Sequence, residues 1–147
     1  MKALLQRVSS AKVEVDGRVV GEIKKGLLVF LCAMKGDTEQ DLDYLVKKAA
    51  QIRLFEDEMG KMNLSVMDIK GSVLVVSQFT LAASTRKGNR PSFDNAEAPE
   101  RAKMMYDEYI RRLRDMGLPV QAGVFAASMA VSLVNDGPVT ISIDSRE

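Results

Sequence analysis

The sequence predicts a single mixed α/β domain covering residues 1–147, with a two-layered, barrel-like β-sheet and helices packed on one face. A chain of 147 residues has the size of one domain and buries about 70% of its unfolded surface, enough for an unaided core. Strand-like segments occur towards both ends of the chain, with two helical patterns between them. No low-complexity tract, internal repeat or flexible linker divides it.

The first half of the chain contains three strand signals. Residues 13–20 place Asp16-Gly17 between two valine-rich runs, the combination typical of a hairpin with a two-residue turn. The apolar runs at 27–33 and 73–76 each follow a glycine and have no polar alternation. Such runs predict strands that are buried on both faces in the centre of a sheet.

The last part of the chain alternates apolar and polar residues, which predicts strands with one buried face. The alternation covers residues 129–133 and again 139–143. Between them lies Asn-Asp-Gly-Pro at 135–138, which predicts a turn that joins two strands.

Two helices are predicted between these strands. A capping-box pattern at residues 38–41 precedes apolar residues at helical spacing, namely Leu42, Leu45, Ala49 and Ile52. Pro99 suits the first turn of a second helix, and Gly117 and Pro119 mark its end. Its apolar stripe consists of Ala98, Ala102, Met105, Tyr109, Leu113 and Met116. The basic residues on its other face alternate with acidic ones, which favours a solvated face over an RNA-binding face.

The composition excludes several kinds of chemistry. The chain has no histidine, so Ser-His, Cys-His and histidine-metal sites are impossible. Its single cysteine, Cys32, excludes an intrachain disulfide and lies in an apolar run that predicts a buried thiol. That run is too short to span a bilayer and the first residues lack a signal peptide, so a soluble cytoplasmic protein without membrane contact is expected. The net charge of +1 leaves nucleic-acid binding to a local patch.

The first candidate site is Ser77-Gln78-Phe79-Thr80, directly after the second buried strand. Strand ends are where pockets form, and hydroxyl, amide and backbone N–H groups there can hold an acyl carbonyl and the oxyanion formed from it. The alternative is a polar strand end that faces water.

The second candidate is the segment 84–92, which carries Arg86, Lys87 and Arg90 without any acidic residue. Phosphate contact is the functional interpretation, and a solvated basic loop is the alternative.

The third candidate is Gly137-Pro138, where a rigid ring and a missing side chain would present two backbone carbonyls to a ligand. The alternative is an ordinary tight turn. An acidic cluster at 56–58 is a poor metal site because adjacent side chains diverge, so no metal and no cofactor are expected.

Four blocks of sequence resemble the D-aminoacyl-tRNA deacylases, and the resemblance covers essentially the whole chain. They are residues 76–81 and 135–140, which match two signatures of that family, and 60–65 and 87–93, which match its intervening blocks. The resemblance implies a homodimer that hydrolyses the ester between a D-amino acid and the 3′-terminal adenosine of tRNA. Glycine carried on a tRNA for alanine is a further implied substrate.

The resemblance also implies roles for particular residues. The Gly137-Pro138 bond is expected to be cis and to enter the partner subunit's pocket, where its carbonyls hold the substrate amino group and an L side chain clashes with the wall. Backbone N–H groups near Phe79 and Thr80 are expected to hold the oxyanion, while the Thr80 hydroxyl or the tRNA 2′-hydroxyl orients the attacking water. Arg7 is expected to brace the Gly-Pro loop, and Met129 to support the site.

Two residues depart from the family pattern. Ala126 and Cys32 stand where glycine is expected, and the Ala126 methyl group is expected to narrow the pocket. Two other functions remain open at this stage: editing of misacylated L-aminoacyl-tRNA, which the enantiomer preference would reveal, and a tRNA-binding module without catalytic activity.

Overall fold

The fold is organised around a long antiparallel pair formed by the first and the last strand. The structure, a computed structural model, describes all residues 1–147. In chain order the elements are β1 (Lys2–Val15), β2 (Arg18–Ile23), β3 (Gly26–Cys32), α1 (Glu39–Gln51), β4 (Phe55–Glu56), β5 (Met62–Leu64), β6 (Ser72–Ser77), a 3₁₀ helix (Phe79–Ala82), α2 (Pro99–Asp115), β7 (Val120–Ala122) and β8 (Ala130–Asp144).

The main sheet has the order β2-β1-β3-β6-β7, and β8 pairs with the remaining edge of β1. The strands β3, β6 and β7 run parallel, so the chain crosses over between them through α1 and α2. The strands β1, β2 and β8 pair antiparallel. The sheet curls until Gly21 of β2 faces β7, where a Cβ atom on Gly21 would lie 2.7 Å from the Ala122 carbonyl oxygen.

Alternate residues of the central strands enter two separate cores. Leu27 and Val29 of β3 point towards the helices and pack with the buried stripe of α2, which includes Tyr109 and Leu113. Leu28, between them, points to the opposite side, into the smaller core that the curled sheet encloses with β2 and β8. The predicted mixed α/β fold, with a two-layered sheet and helices on one face, is confirmed.

The predicted hairpin and the two predicted helices are also confirmed. The hairpin turn lies at Asp16 and Gly17, with φ values of 52° and 76°. Helix α1 begins after Thr38, whose backbone N–H donates to the Asp41 carboxylate at 2.8 Å. Helix α2 begins at Pro99, and neither helix has the length and apolar character needed to cross a bilayer.

The predicted turn at residues 135–138 is wrong. The two strands that flank it form one strand, β8, and both halves pair with β1 rather than with each other. Gln6 pairs with Thr140 and Val8 pairs with Asn135, so the four residues 136–139 stand opposite Arg7 alone. Asn-Asp-Gly-Pro therefore belongs to a large β-bulge. Residues that favour a turn also favour the sharp bends of the backbone that such a bulge requires.

The short hairpin of β4 and β5 was not predicted, and it accounts for the acidic cluster. The Asp57 carboxylate accepts backbone N–H groups of Met59 at 2.9 Å and Lys61 at 3.0 Å. These hydrogen bonds, that of Lys61 above all, hold the pKa of Asp57 below its ordinary value. The side chain thus stabilises the turn of the hairpin.

Candidate functional site

A cavity of about 810 Å³ opens where β3 and β6 end. Most of its lining is apolar and comes from four parts of the chain: these strand ends, the 3₁₀ helix, the start of α2, and the segment before β8. Ser77, Gln78 and Phe79 lie in its wall together with Met129, so the structure brings these four predicted residues to one site. Largely apolar walls with a few polar groups are the usual composition of a ligand site.

Hydrogen bonds fix the way in which the chain leaves β6. The Gln78 backbone N–H donates to the Leu31 carbonyl at 2.8 Å, which ties this exit to the neighbouring strand. The Gln78 side-chain amide donates to the Thr80 hydroxyl oxygen at 2.5 Å. Thr80 itself is exposed and does not line the cavity, so its hydroxyl lies outside the group formed by the other predicted residues.

The 3₁₀ helix begins at Phe79, which lines the cavity. Leu81 and Ala83 donate to the carbonyls of Gln78 and Thr80. The first N–H groups of such a helix, here those of Phe79 and Thr80, have no acceptor within it. They are available to an acceptor at this end of the helix.

Three ionisable side chains of the cavity wall, those of Cys32, Tyr106 and Glu97, are poor nucleophiles and bases at neutral pH. Burial, with a smaller contribution from Asp37, raises the pKa of the Cys32 thiol to about 11. Burial also raises the pKa of Tyr106 to about 12. The Ala98 backbone N–H and Arg101 lower the pKa of Glu97, which stays an ion-paired carboxylate.

The predicted basic loop lies next to this site. Two backbone hydrogen bonds between Ser84 and Ser92, of 2.8 and 2.9 Å, close it at its base. Its cationic side chains are exposed, and none of them forms an ion pair: Arg86, Lys87 and Arg90. Phe93, just after the loop, packs edge-on against Phe79 with ring centroids 5.2 Å apart.

The Gly137-Pro138 bond is cis, and both residues are exposed at the tip of the bulge. The buried Arg7 side chain supports the bulge, since its Nε donates to the Asp136 carbonyl at 3.0 Å. Its Nη1 donates to the Leu54 carbonyl at 2.7 Å, which anchors the guanidinium. The Asn135 carboxamide oxygen accepts the Val139 backbone N–H at 3.1 Å across the base of the loop.

The bulge and the cavity are separate within one chain. None of the residues 135–140 lines the cavity of its own chain, and the sequence-based expectation places Gly137-Pro138 in the cavity of a partner subunit instead.

Sequence reasoning missed the aromatic pair of Tyr106 and Phe125 in the cavity wall. Their ring centroids lie 5.7 Å apart, and the Tyr106 hydroxyl donates to the Val75 carbonyl at 3.1 Å. The helical stripe signals only that Tyr106 adjoins the buried face of α2. Ala126, which stands where glycine is expected, lines the cavity with a left-handed φ of 64°.

Comparisons with known proteins agree along the whole chain. Residues 4–144 match a family model described as D-Tyr-tRNA(Tyr) deacylase. A D-aminoacyl-tRNA deacylase of Persephonella marina is 62% identical over 146 residues, 99% of each chain. Another protein of that name, from Aquifex aeolicus, is 56% identical over 147 residues, 100% of this chain and 99% of the relative.

Solved structures show the same architecture. One described as a c-Myc DNA unwinding element binding protein superposes with a TM-score of 0.92 at 41% identity, over 98% of each chain. Another, described as a probable eukaryotic D-amino acid tRNA deacylase, has a TM-score of 0.80 at 16% identity over 97% of each chain and supports the fold alone. On the family match and the identity to its relatives, this chain belongs to the D-Tyr-tRNA(Tyr) deacylase family.

Proposed function

We propose that this chain is a D-aminoacyl-tRNA deacylase, which hydrolyses the ester between a D-amino acid and the 3′-terminal adenosine of tRNA. The observation that carries this proposal is the family match over residues 4–144. The position of the cavity at the Ser77-Gln78-Phe79 strand end supports it. The reaction releases the free D-amino acid and tRNA in the cytoplasm, and it uses neither a metal ion nor a cofactor.

The enzyme works as a homodimer in which Gly137-Pro138 of one subunit enters the cavity of the other. Three features support this arrangement: the loop is exposed, it is braced by Arg7, and it lies outside the cavity of its own chain. In addition, β8 pairs only with β1, which leaves its other edge available to a partner.

The Gly-Pro loop selects the enantiomer. Two backbone carbonyls hold the substrate ammonium group, which fixes the substituents of the α-carbon and drives an L side chain into the wall. A 1,000-fold discrimination corresponds to about 4 kcal/mol, which a single unrelieved clash with backbone atoms supplies. Glycine has no side chain and passes this filter, so glycine carried on a tRNA for alanine is also a substrate.

Water attacks the ester carbonyl, and the backbone N–H groups of Phe79 and Thr80 stabilise the oxyanion that forms. The carbon–oxygen ester bond then breaks and the ribose 3′-oxygen leaves as a hydroxyl. The tRNA 2′-hydroxyl orients the water, because the Thr80 hydroxyl is already bound by Gln78 and lies outside the cavity lining. The raised pKa values of Cys32 and Tyr106 keep both groups protonated at neutral pH, so neither orients the water in place of the 2′-hydroxyl.

Hydrolysis of D-tyrosyl-tRNA and L-tyrosyl-tRNA by the purified protein, with EDTA present, tests this proposal. We expect cleavage of the D-ester alone, and loss of that preference in Pro138→Ala, because the ring no longer fixes the two carbonyls. Pro119→Ala, at an exposed proline after α2, is the matched control and should retain the preference.

Two other results would replace the proposal. Equal cleavage of both esters would indicate editing of misacylated L-aminoacyl-tRNA. Binding of tRNA without cleavage of either ester would indicate a tRNA-binding module.

A further inference from the structure

A second recess, of about 520 Å³, lies between α2 and the segment that joins β7 to β8. Tyr106 and Phe125 line both this recess, which we call the α2 groove, and the cavity of the proposed active site. The two recesses therefore adjoin at this aromatic pair, and a chain that leaves the cavity across it would come to lie in the groove. The basic loop adjoins the cavity elsewhere, beside Phe79 and Phe93.

The α2 groove is basic. Lys103, Arg111 and Arg114 line it, against one acidic residue, Asp107. Two of the three cations are already neutralised, since Lys103 pairs with Asp107 at 2.7 Å and Arg111 pairs with carboxylates of its own helix.

Arg114 differs from every other basic residue of α2. Arg101, Lys103, Arg111 and Arg112 each form at least one ion pair, as expected for a solvated helix face. Arg114 forms none: it is exposed, and its only hydrogen bond runs from one terminal nitrogen to the Val120 carbonyl, at 2.9 Å. This bond orients the guanidinium, and its other N–H groups remain available to an acceptor.

We propose that the α2 groove binds the single-stranded 3′ end of the tRNA substrate, with Arg114 donating to a backbone phosphate. This inference rests on the proposed function, because the terminal adenosine must occupy the cavity for the next nucleotides to reach the groove. Arg114 supplies a planar donor set that matches a phosphate group, and its charge is not cancelled by a neighbouring carboxylate.

The test compares two substrates that share the reacting ester: D-tyrosyl-tRNA, and D-tyrosyl-adenosine, which has no phosphate. For Arg114→Gln we expect KM for D-tyrosyl-tRNA to rise about tenfold with kcat unchanged. The slope of log KM against log salt should fall by about 0.7, the contribution of one phosphate contact on a single strand. Cleavage of D-tyrosyl-adenosine should stay at the wild-type level.

Two variants serve as controls. Arg114→Lys keeps the charge and should restore most of the salt dependence. Lys47→Gln removes an exposed charge from α1, which lines neither recess, and should leave KM unchanged for both substrates.

The outcomes separate this inference from the proposed function. Wild-type protein that cleaves neither D-ester refutes the proposed function itself. Wild-type activity combined with an unchanged KM in Arg114→Gln refutes only the phosphate contact. An equal loss of activity of Arg114→Gln on both substrates also overturns the phosphate contact, since that result would show a structural role for Arg114 through its hydrogen bond to Val120.

Discussion

Replacing Arg7 with alanine removes the support behind the Gly137-Pro138 loop. The guanidinium donates to the Leu54 and Asp136 carbonyls, and a hydrogen bond from a charged donor is worth about 1.5–3 kcal/mol. The Leu54 carbonyl loses its partner in a buried position, whereas water can reach the exposed Asp136. We therefore expect a loss of about 2–4 kcal/mol in the free energy of unfolding.

Urea unfolding measures this loss, and the ratio of D-tyrosyl-tRNA to L-tyrosyl-tRNA cleavage measures its effect on the loop. Arg7→Ala should lower the ratio because the unsupported carbonyls no longer hold the substrate ammonium group. Arg7→Lys keeps the charge but can donate fewer hydrogen bonds in fixed geometry, so an intermediate loss is expected. Arg18→Ala, at an exposed arginine without side-chain hydrogen bonds, is the control. A change below about 0.5 kcal/mol together with an intact enantiomer ratio would refute the bracing role.

Three further results are expected. Thr80→Ala removes the hydroxyl that accepts the Gln78 amide and so loosens a cavity-lining side chain, which should lower kcat by about tenfold, less than the ~10²–10⁴-fold contribution of a general base. Complete loss of activity with the fold intact would identify Thr80 as a nucleophile. Because the folded-state pKa of Cys32 is raised from 9.0 to about 11, its contribution to stability is complete below pH 9.0 and is lost as the pH rises to about 11. The free energy of unfolding of Cys32→Ala should therefore fall less steeply with pH than that of the wild type in that interval. Replacing Arg86, Lys87 and Arg90 with glutamine should raise KM for D-tyrosyl-tRNA and reduce its salt slope by about 2, without affecting D-tyrosyl-adenosine.

Local signals in the sequence were sufficient for most of the secondary structure. The hairpin at Asp16 and Gly17 and the start of α2 at Pro99 depend on backbone preferences of a few adjacent residues, and those preferences are visible in the sequence. The course of β8 was not visible, because strand pairing joins distant residues. The register that places four residues opposite Arg7 exists only once β1 and β8 meet.

The site was predictable to a similar degree. Ser77, Gln78 and Phe79 follow a recognisable buried strand, so their place at a strand end could be inferred. Tyr106 and Phe125 are brought together by the packing of α2 on the sheet, and no local pattern marks either residue as part of a cavity wall. Arg114 likewise has no ion-pair partner because carboxylates of its own helix pair with Lys103 and Arg111. The spacing of charges in the sequence does not reveal which of these pairs form.

The pairing of β1 with β8 also determines when the Gly-Pro loop forms during synthesis. The ribosome makes β1 first and β8 last, so the edge of β1 that β8 covers stays open until almost the whole chain has emerged. Pairing between such distant strands is slow, because the long intervening segment must first be brought into place. Most of the cavity wall precedes β8 in the chain, whereas the loop that we propose to distinguish the enantiomers lies within β8. A chain truncated before β8 would thus retain residues of the cavity wall and have no means of rejecting L-aminoacyl-tRNA.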